Sequence, residues 1–148
     1  MAETGLLNRL NPQRPRWAVA AAAVALIFGL VTIAVGGTTL FGPAERRAAA
    51  GNIVPFVLWF NFIAGFAYVA AGVGLFLWRR WAANLSAAIA ITTVTVFAAL
   101  AAHILLGGLF ELRTIGAMTV RSLIWVVIAV LACRAMRCFE GMSRGSAA

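Results

Sequence analysis

TIGAMTVRSLIWVVIAVLAC, residues 114–133, decides how this chain is read. Twenty residues at about 1.5 Å each make roughly 30 Å of helix, the thickness of a bilayer's hydrocarbon core. One charge interrupts the run. Arg121 lies about seven residues past Thr114, or roughly 10 Å into the membrane. A guanidinium at that depth costs on the order of a few kcal/mol or more, so it is expected to face a protein interior or a wet cavity with a partner.

Working outward, three more apolar stretches accompany this one, over residues 17–40, 53–78 and 82–106. Of the 148 residues, 64% are hydrophobic, and mean hydropathy is +0.98. A soluble domain of this size is about half apolar. With four spans, little chain is left over, so one membrane domain is expected (17–133), flanked by tails at 1–16 and 134–148. The first span follows Arg9, Arg14 and Arg16 as a signal peptide would, but it exceeds the usual apolar length of one and is expected to be retained.

The charged residues are 12 basic and 4 acidic, and every basic one is arginine. A pI near 11.7 would point to nucleic acid in a soluble protein. Here the arginines cluster at span ends, where they set orientation, and no nucleic-acid partner is expected. Arg9, Arg14, Arg16, Arg79, Arg80, Arg134, Arg137 and Arg144 fall on one side. Arg46, Arg47 and Arg113 fall on the other, with Arg121 buried near them. The positive-inside rule then predicts an antiparallel bundle of four transmembrane helices in a bacterial inner membrane, with both termini cytoplasmic. Cys133 and Cys138 would face a reducing cytoplasm and stay as thiols.

Small residues predict where the helices approach closely. Ala18, Ala21, Ala22, Ala25 and Gly29 form rows at near-helical spacing in the first span, and Gly65 and Gly72 mark one face of the second with Asn61 and Tyr68. Ala25, Gly29, Gly65 and Gly72 are the packing candidates. Thr92, Thr95, Ala99 and His103 share a face of the third span, and Thr114, Met118, Arg121 and Trp125 share one of the fourth. Asn52 and Thr114 are candidate N-caps.

With that orientation, Asn61, His103, Glu111, Arg113 and Arg121 gather in the outer half of the membrane as a polar cluster. Asn61 lies roughly 13 Å in by this count. Arg121 reads either as an anion or headgroup clamp or as the partner of Glu111, with snorkelling a further structural reading. Trp125 could hold the guanidinium by cation–π contact. His103, the chain's one histidine, reads as a hydrogen-bonded interfacial residue, a proton relay or a metal ligand. Paired with Met118 it could ligate haem. Asn61 reads as interhelical glue. Glu111 reads as a loop carboxylate or a counter-ion.

No phosphate-binding loop, dinucleotide fingerprint, HExxH or CxxC occurs, and four glutamates cannot supply a Ser/His/acid set or a carboxylate pair. The leading expectation is therefore a non-catalytic accessory or interaction subunit, packed in the bilayer against itself or a membrane-protein partner, with no cofactor implied. A small oligomeric transporter or channel for an anion, proton or metal is the alternative. A haem- or quinone-binding redox subunit is the third.

Overall fold

In a computed structural model the protein is helical throughout its described part, residues 15–136. Five helices follow one another: α1 (Arg16–Phe41), the short α2 (Ala44–Ala49), α3 (Pro55–Phe76), α4 (Arg80–Leu105) and α5 (Leu112–Met136). All but α2 are long and apolar enough to cross a membrane, and they form a helical bundle. Each expected span overlaps one of them, with ends displaced by one to three residues. The tails fall mostly outside the described residues, but Arg134–Met136 continue α5 rather than opening a tail.

The displaced ends have local causes. Pro55 takes the first position of α3, where its missing N–H leaves nothing unpaired, and Val54 before it stays extended. Asn52 is therefore not the cap of α3. Its backbone N–H donates instead to Glu111 Oε1 at 2.9 Å. At α5 the Glu111 carbonyl accepts the N–H groups of Thr114 and Ile115, at 2.9 and 3.4 Å, so the helix starts at Leu112 and Thr114 lies inside its first turn. Gly51, at φ +74°, packs against the Glu111 carboxylate where a Cβ would collide. Glu111 thus ties the α2–α3 connection to the start of α5.

Consecutive long helices run antiparallel. Gly72 of α3 faces Ala22 and Leu26 of α1, Gly65 faces Gly29 and Ile33, and Phe62 faces Gly36. Gly74 of α3 faces Trp81 and Ala82 at the start of α4, and Cys133 of α5 lies 3.9 Å from Ala83 O. Pro15 and Met136 accordingly share one end of the bundle, and α2 and the α4–α5 loop share the other. The small-residue row of α1 continues past Gly29 to Thr32 and Gly36, all buried. Bare backbones meet there: a Cβ on Gly29 would stand 3.0 Å from Gly65 O. Trp125, Tyr68 and Leu75 fill the centre, and Val54, Val57, Leu100 and Met118 form a second cluster towards α2.

The face of α4 carrying Thr92, Thr95 and Ala99 points outward. Each threonine returns its hydroxyl to a carbonyl one turn earlier, Thr92 to Ala88 at 2.8 Å and Thr95 to Ile91 at 2.9 Å. A hydroxyl satisfied in this way can face lipid at little cost. Ser86, Ile89 and Thr93 occupy the inner face instead. Ile27, Ile63, Ile91 and Leu123 also point outward, a surface that water penalises and hydrocarbon does not. Cys133 is disulfide-bonded, which corrects the expectation of a free thiol; Cys138 lies outside the described residues.

Candidate functional site

The inner face of α5 presents Met118, Arg121, Ser122 and Trp125 to the bundle. Arg121 is only 6% exposed. It lies nine residues beyond Leu112, roughly 13 Å along the helix. Its Nη2 donates to Thr32 Oγ1 of α1 at 3.4 Å and its Nη1 to Met118 Sδ at 3.5 Å. Phe28 and Tyr68 flank it, with ring centroids 5.4 and 5.9 Å from Cζ. Trp125 does not hold the guanidinium: its ring packs on Tyr68 at 4.7 Å, one turn deeper in the core.

These neighbours are weak partners for a full positive charge. A thioether is a poor acceptor, the hydroxyl contact is long, and aromatic faces contribute about 0.5–2 kcal/mol each. Nε has no partner at all. The counter-ion role expected of Glu111 is not realised, because that carboxylate is held at the loop by the Asn52 N–H. Glu45 sits on the exposed α2. Among the described residues, no carboxylate neutralises Arg121.

Other polar groups nearby are also left over. Asn61 Oδ1, Ser122 Oγ and Trp125 Nε1 are buried without hydrogen-bond partners. Tyr68 Oη and Thr93 Oγ1 are neighbours that do not reach hydrogen-bonding geometry. Orphaned donors and acceptors are rare in protein interiors and costlier still in a membrane. Several of these atoms lie on the same α5 face or the same cavity as Arg121.

Space accompanies them. A cavity of about 580 Å³ opens between α1 and α5, walled by Phe28, Thr32, Asn61, Arg113, Val120 and Arg121 among others. A second, of about 400 Å³, lies towards α2 and shares Asn61, Arg113 and Thr114 with the first while adding Arg46. The two adjoin, with Arg46 and Arg113 towards the α2 end and Arg121 on the wall of the first. A third cleft, of about 460 Å³, continues along the same α1–α5 seam towards Trp17 and is lined wholly by apolar residues.

The five residues of the sequence-derived cluster thus divide. Asn61, Arg113 and Arg121 converge on the cavity. Their depths are reversed from expectation: Asn61 is six residues from the start of α3 and Arg121 nine from that of α5, because α3 starts later and α5 earlier. Glu111 stays in the loop. His103 stands apart, its Nε2 3.3 Å from Leu109 O and its ring against Phe56. His103 and Met118, the pair envisaged for haem, contact different groups, Leu109 O and the Arg121 guanidinium. No group of three His, Cys, Asp or Glu side chains that could hold a metal occurs among the described residues.

Thr32 and Phe28 escaped the sequence reading, and Arg46 figured in it only as an orientation signal. The signal for Thr32 was present: extending the row Ala18, Ala22, Ala25, Gly29 by its own spacing reaches it. Fold and cavity together describe a bundle with four helices of membrane-spanning dimensions and an open cavity beside a buried arginine. No protein-family model matches the chain, and no curated protein or solved structure matches it either.

Proposed function

We propose that this chain is a small membrane protein of the carrier or transporter type that binds an anion at Arg121. The observation that supports this most is a buried guanidinium with no carboxylate partner among the described residues, facing a cavity that Arg113 also lines, with Arg46 in the adjoining one. An uncompensated buried charge costs several kcal/mol. A bound oxyanion offsets that cost, because its geometry matches the guanidinium fork and its lone pairs take up the free Nε–H. Arg46 and Arg113 at the mouth raise the local anion concentration and steer it inward.

The small-residue positions Gly29, Gly65 and Gly72 pack α1 against α3 within the chain, so they do not themselves favour the interaction-subunit reading over this one. The anion reading is tested with inorganic phosphate and acetate as soluble probes of the protein in phosphate-free nanodiscs or liposomes. The expected result is weak, saturable binding of at least one probe, reduced tenfold or more in Arg121→Gln. Absence of any Arg121-dependent binding overturns it.

The same reading places the α2 end outside a bacterial inner membrane and the Pro15/Met136 end in the cytoplasm. The arginine asymmetry supports this placement. The Cys133 disulfide pulls the other way, since such bonds persist in oxidising compartments. Labelling decides between them. In cysteine-free protein carrying Ala48→Cys, reaction with an impermeant maleimide added to intact cells supports the placement, and protection inverts it.

A further inference from the structure

We infer that the site takes an amphiphile: a single apolar chain carrying an oxyanion, phosphate or carboxylate, with its head on Arg121 and its tail in the α1–α5 seam. The inference rests on the anion reading above and adds the ligand's class and its route. Three observations carry it. The first is that the cavity beside Arg121 is not enclosed by the bundle. It opens between α1 and α5, where Val31 and Val120, both exposed, mark the lip. A ligand can therefore come from the bilayer as well as from the α2 end.

The second is that the cleft beyond Arg121 has the length and chemistry of a tail site. It runs between Val24 and Ala20 on α1 and Ile124, Val127 and Leu131 on α5, with Trp17 at its far end. From Arg121 to Leu131 is ten residues of α5, roughly 15 Å, enough for a medium-length alkyl chain. No polar side chain borders it. The third is charge complementarity. Arg121 is more than nine-tenths buried, lines the upper cavity and leaves Nε unpartnered. An oxyanion at that point receives Nε–H, and Thr32, the one side chain of α1 hydrogen-bonded to Arg121, is displaced or shared. A neutral lipid tail would fill the cleft but leave the guanidinium uncompensated. A free inorganic anion would compensate the guanidinium but leave the cleft to bulk lipid.

The test compares three probes on the full chain in phosphatidylcholine nanodiscs: dodecyl phosphate, dodecanol and inorganic phosphate. Dodecyl phosphate is expected to bind at least tenfold more tightly than either of the others. Arg121→Gln removes that advantage over dodecanol. Ile124→Trp, which fills the cleft away from the guanidinium, removes the advantage over inorganic phosphate and provides an independent arm if Arg121→Gln does not fold. Arg121-dependent binding of inorganic phosphate as tight as that of dodecyl phosphate overturns the amphiphile and leaves the anion reading standing. Dodecyl phosphate no tighter than dodecanol, and indifferent to Arg121→Gln, overturns both. A chain that purifies as a dimer and does not bind dodecyl phosphate assigns the seam to a second copy and overturns the inference.

Discussion

Helix α1 forms two seams, and they are opposites. Towards α3 it presents Ala22, Gly29 and Gly36, and the backbones close until a Cβ on Gly29 would stand 3.0 Å from Val69 N. Towards α5 it leaves a cavity and a cleft, and the side-chain hydrogen bond across, from Arg121 Nη2 to Thr32 Oγ1, is 3.4 Å long. In lipid there is little hydrophobic force between helices, so close packing supplies the stability. The α1–α3 seam is where this protein is held together. The α1–α5 seam is where it has given up packing around a costly charge, and the proposed ligand is what would fill it.

The strongest way to break this contrast is to put bulk into the tight seam. Gly65→Leu drives a side chain into a position where even a Cβ lies 2.7 Å from Ile33 Cγ1 and 3.2 Å from Gly29 O. Overpacking against backbone cannot relax by a rotamer change, and a loss of about 3 kcal/mol follows. Unfolding by sodium dodecyl sulfate titration measures it. A variant as stable as the parent shows that α1 and α3 do not rely on this contact.

The next test goes to the loose seam and has the opposite sign. Arg121→Met keeps much of the volume and removes the unpaired charge. If Arg121 were structural, its loss would destabilise. Because its partners are weak and a buried unpaired charge is costly, stability of the ligand-free protein is expected to rise by about 1–3 kcal/mol, while anion binding disappears. The same titration, with and without probe anion, reads both changes. A fall in stability without ligand makes Arg121 part of the scaffold.

The two seams were not equally legible in the sequence. Helix number and packing glycines are written in local patterns: apolar run length, and small residues at helical spacing. Arg121 announced itself by being out of place. Its surroundings did not, because whether Glu111 reaches it depends on loop geometry. Glu111 and Arg121 are ten positions apart, which one longer loop would bring together, but the Asn52 N–H, fifty-nine positions from Glu111, captures the carboxylate first. Which way the shared face of Thr92 and Thr95 points on α4 was not legible for a related reason. Thr92 and Thr95 look polar in sequence and become neutral to lipid once their hydroxyls fold back on their own helix.

The Glu111 contact supports a smaller test. Glu111→Gln keeps an acceptor for the Asn52 N–H but removes its charge, so about 1 kcal/mol of stability is expected to go. Anion binding at Arg121 should stay within about twofold, since the carboxylate does not neutralise that guanidinium. An increase in anion affinity of tenfold or more would mean that Glu111 competes for Arg121 after all.

The finest comparison makes one substitution in both seams. Gly65 and Gly116 are both helical glycines, and alanine is the better helix former by about 1 kcal/mol. At Gly65 that gain is overridden, because the new methyl meets Ile33 and the Gly29 carbonyl. At Gly116, which lines the upper cavity, nothing stands within 4 Å of an added Cβ. Gly65→Ala should therefore lower stability, whereas Gly116→Ala should raise it by about 0.5 kcal/mol, less than the full propensity because the residue lies in the first turns of α5. Measured side by side in one detergent, the two changes should differ in sign. If Gly116→Ala is destabilising to the same degree as Gly65→Ala, the α1–α5 seam is closed in the membrane by a surface pressed against it. The cavity would then be an interface with a partner and not a binding site for a small ligand.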